Sequence, residues 1–239
     1  MASKTIKESL VRAFGAAKYA SVEGLKKKVQ TRDRMPVSSF YTTLFRLVES
    51  RVLFDAGRGW YSVIPRPFVP QYQPVRSLVR AVEGQFPQLQ FSAWSTEQLQ
   101  PFAHHLMGKV TTFLYTESDA IAPVSDFLQD QNLAAFPNPI QSKVQKYVPS
   151  SRLRIIVRLR ITEEPVDGHF ATIEKTLIDL SLEKERLLLL DPAEFRRIFE
   201  NIIFDNRVNM GRLFRYADRR RIKPRIQELS SEQRGLVIV

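Results

Sequence analysis

The sequence predicts a mixed α/β protein, of the α+β kind, in which an N-terminal winged helix-turn-helix precedes a mixed α/β domain with helices packed on a partly parallel sheet. Three observations lead there. Helical periodicity through the first 50 residues runs into a hairpin pattern with two glycines. Residues 64–74 then hold four prolines. Beyond them, short apolar strands alternate with helical stripes, the pattern of βαβ units. The predicted domains are residues 1–63 and residues 75–239, with residues 64–74 as a Pro-rich extended linker between them.

The elements of the first domain follow in order. Ile6, Leu10, Val11 and Phe14 share a helical face, and Ala13, Ala16 and Ala17 admit a close neighbour. Ser21 suits the cap of a second helix in which Val22, Leu25 and Val29 face inward and Lys26, Lys27 and Lys28 outward. Residues 31–35 form a turn, and Pro36 fits a first helical position, where its missing N–H costs nothing. Val37, Phe40, Leu44, Leu47 and Val48 then fall on one face. Ser38, Ser39, Thr42 and Arg46 fall on the other, with Tyr41 at its margin. Residues 51–54 read as a strand, Asp55-Ala56-Gly57-Arg58-Gly59 as a turn and residues 60–63 as the returning strand, together a wing.

In a helix-turn-helix the second helix of the pair enters the major groove. Arg46 there suits a bidentate pairing with guanine, while Ser38, Ser39, Tyr41 and Thr42 suit bases or phosphates. Lys26, Lys27, Lys28, Arg32, Arg34 and the wing-tip Arg58 are placed to hold the backbone. The expected partner is double-stranded DNA, the protein's own promoter. Against this stands the use of the same fold as a protein-docking module with a merely solvated polar face. Charge favours the first reading: of the formal net charge of +11, residues 1–74 carry 13 Lys or Arg against 5 Asp or Glu, a net of +8. The remaining 165 residues carry 23 against 20, a net of +3. A basic field on a groove-binding pattern favours a polyanion through counterion release.

In the linker, Phe68, Val69 and Tyr72 are apolar enough to pack on either domain, making it a strap. Past it, Val75, Leu78, Val79 and Val82 predict a helix ending near Gly84, residues 89–94 a strand, and Ser95 with Gln98 a capping box. Residues 110–115 and 133–136 read as strands around a helix over 118–131. Leu153, Ile155, Val157, Leu159 and Ile161 alternate with Arg152, Arg154, Arg158 and Arg160 in a strand with one buried face. Its arginines are either solvated and paired with nearby glutamates or a surface for an acidic partner or RNA. A turn at Val166-Asp167-Gly168-His169 leads to a helix from Ile173. Asp191-Pro192 open another, and residues 210–221 form a basic one.

Within that first C-terminal helix, Ala171-Thr172-Ile173-Glu174-Lys175-Thr176-Leu177-Ile178-Asp179-Leu180 resembles the Glu-Lys-x-Leu-x-Asp-Leu signature of AbiEi-type antitoxins of type IV toxin–antitoxin, or abortive infection, systems. The resemblance extends to Tyr61-Ser62-Val63-Ile64-Pro65-Arg66-Pro67, to Ala93-Trp94-Ser95-Thr96, and to Arg212-Leu213-Phe214-Arg215-Tyr216-Ala217-Asp218-Arg219-Arg220. It implies a phage-defence antitoxin and transcriptional repressor: the winged helix represses its own operon, and the C-terminal domain counters a nucleotidyltransferase-type toxin, directly or indirectly. Glu174, Lys175, Asp179, Arg215, Tyr216, Asp218 and Arg219 are the motif residues so marked. Lys175 and Asp179 share a helical face at i, i+4 and are spaced to pair. A structural polar network and a toxin or nucleic-acid contact both remain open for these groups.

Nothing points to an enzyme or a cofactor. His104, His105 and His169 are the only histidines, and no His-Glu-x-x-His, P-loop or Gly-x-Gly-x-x-Gly occurs. A nuclease is the remaining enzymatic alternative, with Asp167 and Glu174 as candidate metal ligands, but Glu174 precedes Lys175 directly, without the Glu-x-Lys spacing that puts both on one strand face. The other alternative is a stand-alone repressor whose C-terminal domain senses a ligand or oligomerises. No apolar run nears the roughly 18–20 residues of a membrane span, and Met1-Ala2-Ser3-Lys4 leads into an amphipathic helix rather than a signal-peptide core, so a cytoplasmic protein is expected. The absence of cysteine excludes disulfides and agrees with a reducing compartment. The operator, the toxin and the oligomeric state are not written in the sequence.

Overall fold

Leu10, Phe14, Leu25, Val29, Phe40, Leu44 and Leu47, the residues that carry the helical periodicity, meet with Ala20 and Leu53 in one core. They lie on α1 (Ala2–Phe14), α2 (Val22–Asp33) and α3 (Val37–Glu49) of the computed structural model. That structure describes residues 2–33, 36–104, 110–139, 153–187, 189–231 and 237–238. The short strand β1 (Tyr19–Ser21) precedes α2, and its last residue caps that helix, Gly24 N donating to Ser21 Oγ at 2.9 Å. Strands β2 (Phe54–Asp55) and β3 (Trp60–Ser62) form the hairpin, with β3 antiparallel to both β2 and β1.

Four local expectations change. Pro36 stands one place earlier than expected, as the extended residue before α3, where its carbonyl accepts from Phe40 N at 3.0 Å. Val37, expected inward, is 42% exposed at the first position of α3. Residues 51–53 are not strand. Arg51 takes a left-handed φ of 54° and the N–H groups of Val52 and Leu53 both turn back onto Leu47 O, at 2.9 and 3.1 Å, closing the end of α3. Helix α2 also runs through Asp33, so residues 31–33, expected in the turn, are helical.

The chain divides into two units, and the division differs from the expected domains. One unit is Met1–Phe68 together with Glu200–Val239, the other Val69–Phe199. The reason is non-local pairing. Strand β10 (Val237–Ile238) adds to β1 in parallel, giving a sheet ordered β10-β1-β3-β2. Buried Tyr19 donates its hydroxyl to Asn206 O at 2.7 Å and accepts from Val208 N at 3.0 Å. The first part of the proline-rich stretch is strapped down as well. Arg207 donates through Nη1 to Ile64 O and Pro65 O at 3.0 and 2.7 Å, and through its backbone N to Arg66 O at 2.7 Å.

The second unit is built on a six-stranded mixed sheet ordered β6-β7-β5-β4-β9-β8. Its strands are β4 (Phe91–Ser95), β5 (Val110–Thr116), β6 (Ala135–Pro137), β7 (Leu153–Leu159), β8 (Val166–Asp167) and β9 (Phe170–Ala171). β5, β6 and β7 run parallel and β4 antiparallel to β5, as the alternation of strands and helices implied. Helices α4 (Gln73–Gln85) and α5 (Ile121–Asp130) lay Val75, Val79, Val82, Val124 and Leu128 on one sheet face against Phe91, Ala93, Leu114, Ile155 and Val157. At the end of β4 the predicted capping box is present, Gln98 Oε1 accepting from Ser95 N at 2.7 Å. Tyr72, at the far end of the proline-rich stretch, stacks on Phe170 at 4.5 Å.

Helix α6 (Ile173–Leu187) serves the opposite sheet face, and Ile173 through Ser181 are all buried. Helix α7 (Pro192–Asp205) opens as read from the sequence, with Asp191 Oδ1 accepting from Ala193 N and Glu194 N at 2.8 and 2.9 Å. The division between units falls within it. Helices α8 (Met210–Arg219) and α9 (Lys223–Ser231) belong to the first unit. No helix among the described residues is long and apolar enough to cross a membrane.

Candidate nucleic-acid interface and a buried ionic stripe

The outward face of α3 is where the sequence places base readout. Ser38, Thr42 and Arg46 are exposed, Ser39 is half-buried, and Tyr41 is 50% exposed. Thr42 donates its hydroxyl to Ser38 O at 3.0 Å, which leaves its oxygen as an acceptor. The centre of this face is occupied by a residue the sequence reading passed over: Phe45, 63% exposed. Its signal was present, since the inward stripe Phe40, Leu44, Leu47 leaves position 45 on the far side. A large apolar group displayed between Tyr41 and Arg46 suits contact with a thymine methyl.

Among the described residues, the cations expected to hold a backbone lie on α2 and at the hairpin tip. Lys27 and Lys28 are exposed on α2, Lys26 is half-buried, and Arg58 is exposed at the hairpin tip. Arg32 lies in α2, whereas Arg34 lies outside the described residues. The hairpin turn is fixed by Asp55 Oδ1, which accepts from Gly57 N at 2.9 Å, and by left-handed φ values of 97° at Gly57 and 76° at Gly59. Behind it, burial, then Asp55 and Tyr41, push the Tyr61 phenol above its ordinary value.

The division into units sharpens the charge asymmetry. Met1–Phe68 with Glu200–Val239 carries 22 Lys or Arg against 10 Asp or Glu, a net of +12; Val69–Phe199 carries 14 against 15, a net of −1. The whole excess of positive charge therefore belongs to the unit that holds α3 and the hairpin. Residues 200–239 supply +4 of it, with nine Lys or Arg against five Asp or Glu.

The residues marked by the antitoxin-like motif fall in both units. Glu174, Lys175 and Asp179 sit on α6 at 5, 0 and 0% exposure. Lys175 Nζ lies 2.7 Å from Asp179 Oδ2 and 3.0 Å from Glu164 Oε1, and 3.7 Å from the centre of the Tyr115 ring. Glu164 is saturated further by Ser92 Oγ and Ile161 N, at 2.8 and 3.1 Å. One and two turns on, Asp179 and Glu183 continue the stripe. Glu183 accepts from Arg158 Nη2 at 2.7 Å and from Arg186 Nη1 at 3.2 Å, while Arg158 Nη1 donates to Asn138 Oδ1 and Pro139 O. Buried charges are tolerated when paired and hydrogen-bonded in this way.

This stripe accounts for the arginine strand. Arg154 and Arg158 are 8 and 5% exposed, so their side of β7 is an interior lined by α6 rather than a surface for RNA or an acidic partner. Arg154 Nε donates to Thr111 Oγ1 at 2.6 Å, and its burial lowers the guanidinium pKa. Arg160 is half-buried, and Arg152 lies outside the described residues. The nuclease candidates do not converge either: Asp167 is exposed on β8, and Glu174 is buried, accepting from the Thr172 hydroxyl. His169 stacks on Phe91 at 4.0 Å, His104 is exposed and His105 lies outside the described residues. Among the described residues, no group of three or more His, Asp or Glu is arranged to hold a metal ion.

The remaining motif residues belong to α8. Its inner side carries Met210, Leu213, Phe214, Tyr216 and Ala217, all buried, and Arg212, Arg215, Asp218 and Arg219 are exposed. Thus Tyr216 is a core residue, and the arginines are displayed.

A mixed α/β chain with a cationic helix-and-hairpin unit is the class these features define. The chain belongs to a family of unknown function, DUF6577, whose model matches residues 39–235, from α3 to beyond α9. No curated protein matches it.

Proposed function

We propose that the protein is a duplex-DNA-binding regulator whose first unit acts as a winged helix, α3 entering the major groove and the β2–β3 hairpin serving as the wing. The observation that carries this reading is the coincidence of charge and geometry. A net +12 resides in the unit that displays Ser38, Thr42, Phe45 and Arg46 on one helical face. A second unit of net −1 has no comparable field to offer a polyanion. The resemblance to AbiEi-type antitoxins gives the regulator a role: it represses its own operon in the cytoplasm and counters a nucleotidyltransferase-type toxin encoded beside it. Buried Glu174, Lys175 and Asp179 then act by holding the second unit together, since groups at 5, 0 and 0% exposure have little or no surface to present to a toxin.

Gel shifts on the protein's own promoter across a salt series test the DNA reading. Arg46→Ala should lower affinity and relax base preference at a cost of ~1–3 kcal/mol, the worth of a bidentate base contact. Replacing Lys26, Lys27 and Lys28 together with Ala should weaken all duplexes alike and flatten the salt dependence. Unchanged binding in both variants would remove α2 and α3 from the interface. For the antitoxin role, co-expression with the nucleotidyltransferase encoded next to it should restore growth; continued arrest would leave only the repressor.

A further inference from the structure

Helix α8 is docked onto the hairpin tip. Gly211 N donates to Ala56 O at 3.4 Å, and Trp60 packs on Phe214 with ring centres 5.1 Å apart. The approach is so close that a Cβ on Gly211 would stand 3.0 Å from Arg58 O and 3.1 Å from Arg58 N, while one on Gly57 would collide with the Asn209 side chain. Asn209 in turn caps α8, its Oδ1 accepting from Arg212 N at 2.8 Å. The residue at the hairpin tip, Arg58, and the first exposed residue of α8, Arg212, are therefore held by one rigid junction. From there Arg212, Arg215 and Arg219 follow at i, i+3 and i+7, a single exposed face, with Asp218 beside it as the acidic residue of the helix.

We propose that this arginine face of α8 continues the wing as a second line of contacts to the phosphate backbone of duplex DNA. The proposal rests on the DNA-binding reading and extends it: the footprint includes a helix from the far end of the chain. Guanidinium groups one helical turn apart on a straight face suit phosphates along one strand, and Gly57 and Gly211 exist to let that face come up against the tip. A wing fixed in this manner contacts the backbone as a preformed surface rather than as a loop that orders on binding.

The test uses the full-length protein and fluorescein-labelled random-sequence duplexes of 30 base pairs, with anisotropy titrations from 50 to 300 mM salt as the readout. Removing two phosphate contacts with R212Q/R215Q should lower the slope of log Kd against log salt by about 1.8, at about 0.9 per phosphate. R212K/R215K should keep most of the slope, and R76Q/R80Q, which takes the same charge from exposed positions on α4, should change it little. If R212Q/R215Q behaves like R76Q/R80Q while Arg46→Ala still weakens binding, the α8 surface is wrong and the DNA reading stands. If the wild-type protein binds no duplex at any salt, the DNA reading itself fails.

Discussion

The hydroxyl of Tyr19 donates to the carbonyl of Asn206 at 2.7 Å, joining the first strand to a segment 187 residues later, and the same oxygen accepts from Val208 N at 3.0 Å. Tyr19 is fully buried, so Tyr19→Phe would leave a backbone N–H and a carbonyl without their partner away from water. The expected loss is about 1–3 kcal/mol, read as a lower midpoint in urea denaturation with an unchanged slope. A midpoint equal to wild type would mean that the second segment is not fastened there.

Such contacts explain why one part of the fold was legible and another was not. Phe40, Leu44 and Leu47, or Ser95 with Gln98, are signals within a single element, where spacing alone fixes who faces whom. Asp191 and Pro192 at the start of α7 are of the same kind. Tyr19 with Asn206, β1 with β10, and Gly57 with Asn209 are meetings of distant segments. Neither side carries a local pattern that names its partner, so local patterning alone assigns residues 200–239 to the second domain rather than the first. The candidate site divides similarly. Exposed Ser38, Thr42 and Arg46 followed from helical phase, whereas the fate of the β7 arginines depended on Glu183 of α6, 25 residues from Arg158. Period-2 alternation shows two faces; it does not show whether a helix covers the second one.

The ionic stripe on α6 predicts an asymmetry between single and combined substitutions. Lys175→Met leaves Glu164 and Asp179 buried around an apolar side chain, and should cost about 3–5 kcal/mol. Combining it with Glu164→Gln and Asp179→Asn removes the uncompensated charge and should restore a substantial part of that loss. Chemical denaturation of the two variants compares them directly. Equal losses would mean that packing around Lys175, rather than charge balance, dominates.

Tyr61 gives a prediction for alkaline pH. Its phenol is held above the ordinary tyrosine value by burial first, then by Asp55 and Tyr41. Between a pKa of about 10 in the unfolded chain and the higher folded value, the native state retains a proton that the unfolded chain has lost. The contribution is therefore intact below about pH 10 and is lost as pH rises through the folded value. Tyr61→Phe should flatten the fall of Tm across this window and change little at pH 7 to 9. A parallel fall in both proteins would assign the alkaline loss to other groups.

The hairpin glycines differ in what they forbid. Gly59 has a left-handed φ of 76° with open space around it, so Gly59→Ala should cost only the backbone strain, about 1–2 kcal/mol. Gly211 has ordinary backbone angles but stands against the Arg58 backbone, so Gly211→Ala must push the tip away from α8. Overpacking of this kind costs typically about 1–3 kcal/mol. Thermal denaturation gives the size of each effect, and proteolysis of the hairpin distinguishes them: Gly211→Ala should expose the tip to trypsin at Arg58, and Gly59→Ala should not. Identical protection in both would show that the hairpin does not depend on α8 for its place.

The last prediction concerns the first unit as a whole. The sequence makes residues 1–63 a self-sufficient winged helix, because all three helices and the hairpin lie within them, and residues 1–68 contain that whole stretch. The packing argues otherwise. Without residues 200–239, β1 becomes an edge strand, Tyr19 loses the partners of its hydroxyl, and Trp60 loses the Phe214 ring. Ile64 O and Pro65 O lose the Arg207 guanidinium, and Ala56 O loses Gly211 N. A domain of this length has only a few kcal/mol to spare, so several such losses together should leave residues 1–68 alone at best partly folded at 25 °C. Circular dichroism should show helix without a cooperative thermal transition, and amide NMR signals should be poorly dispersed. Joining residues 200–239 to residues 1–68 through a flexible Gly/Ser linker should restore both the transition and, on the DNA reading, salt-dependent duplex binding. A cooperative transition in residues 1–68 alone would show that the three-helix core is sufficient and that the returning segment is an addition to it rather than a part of it.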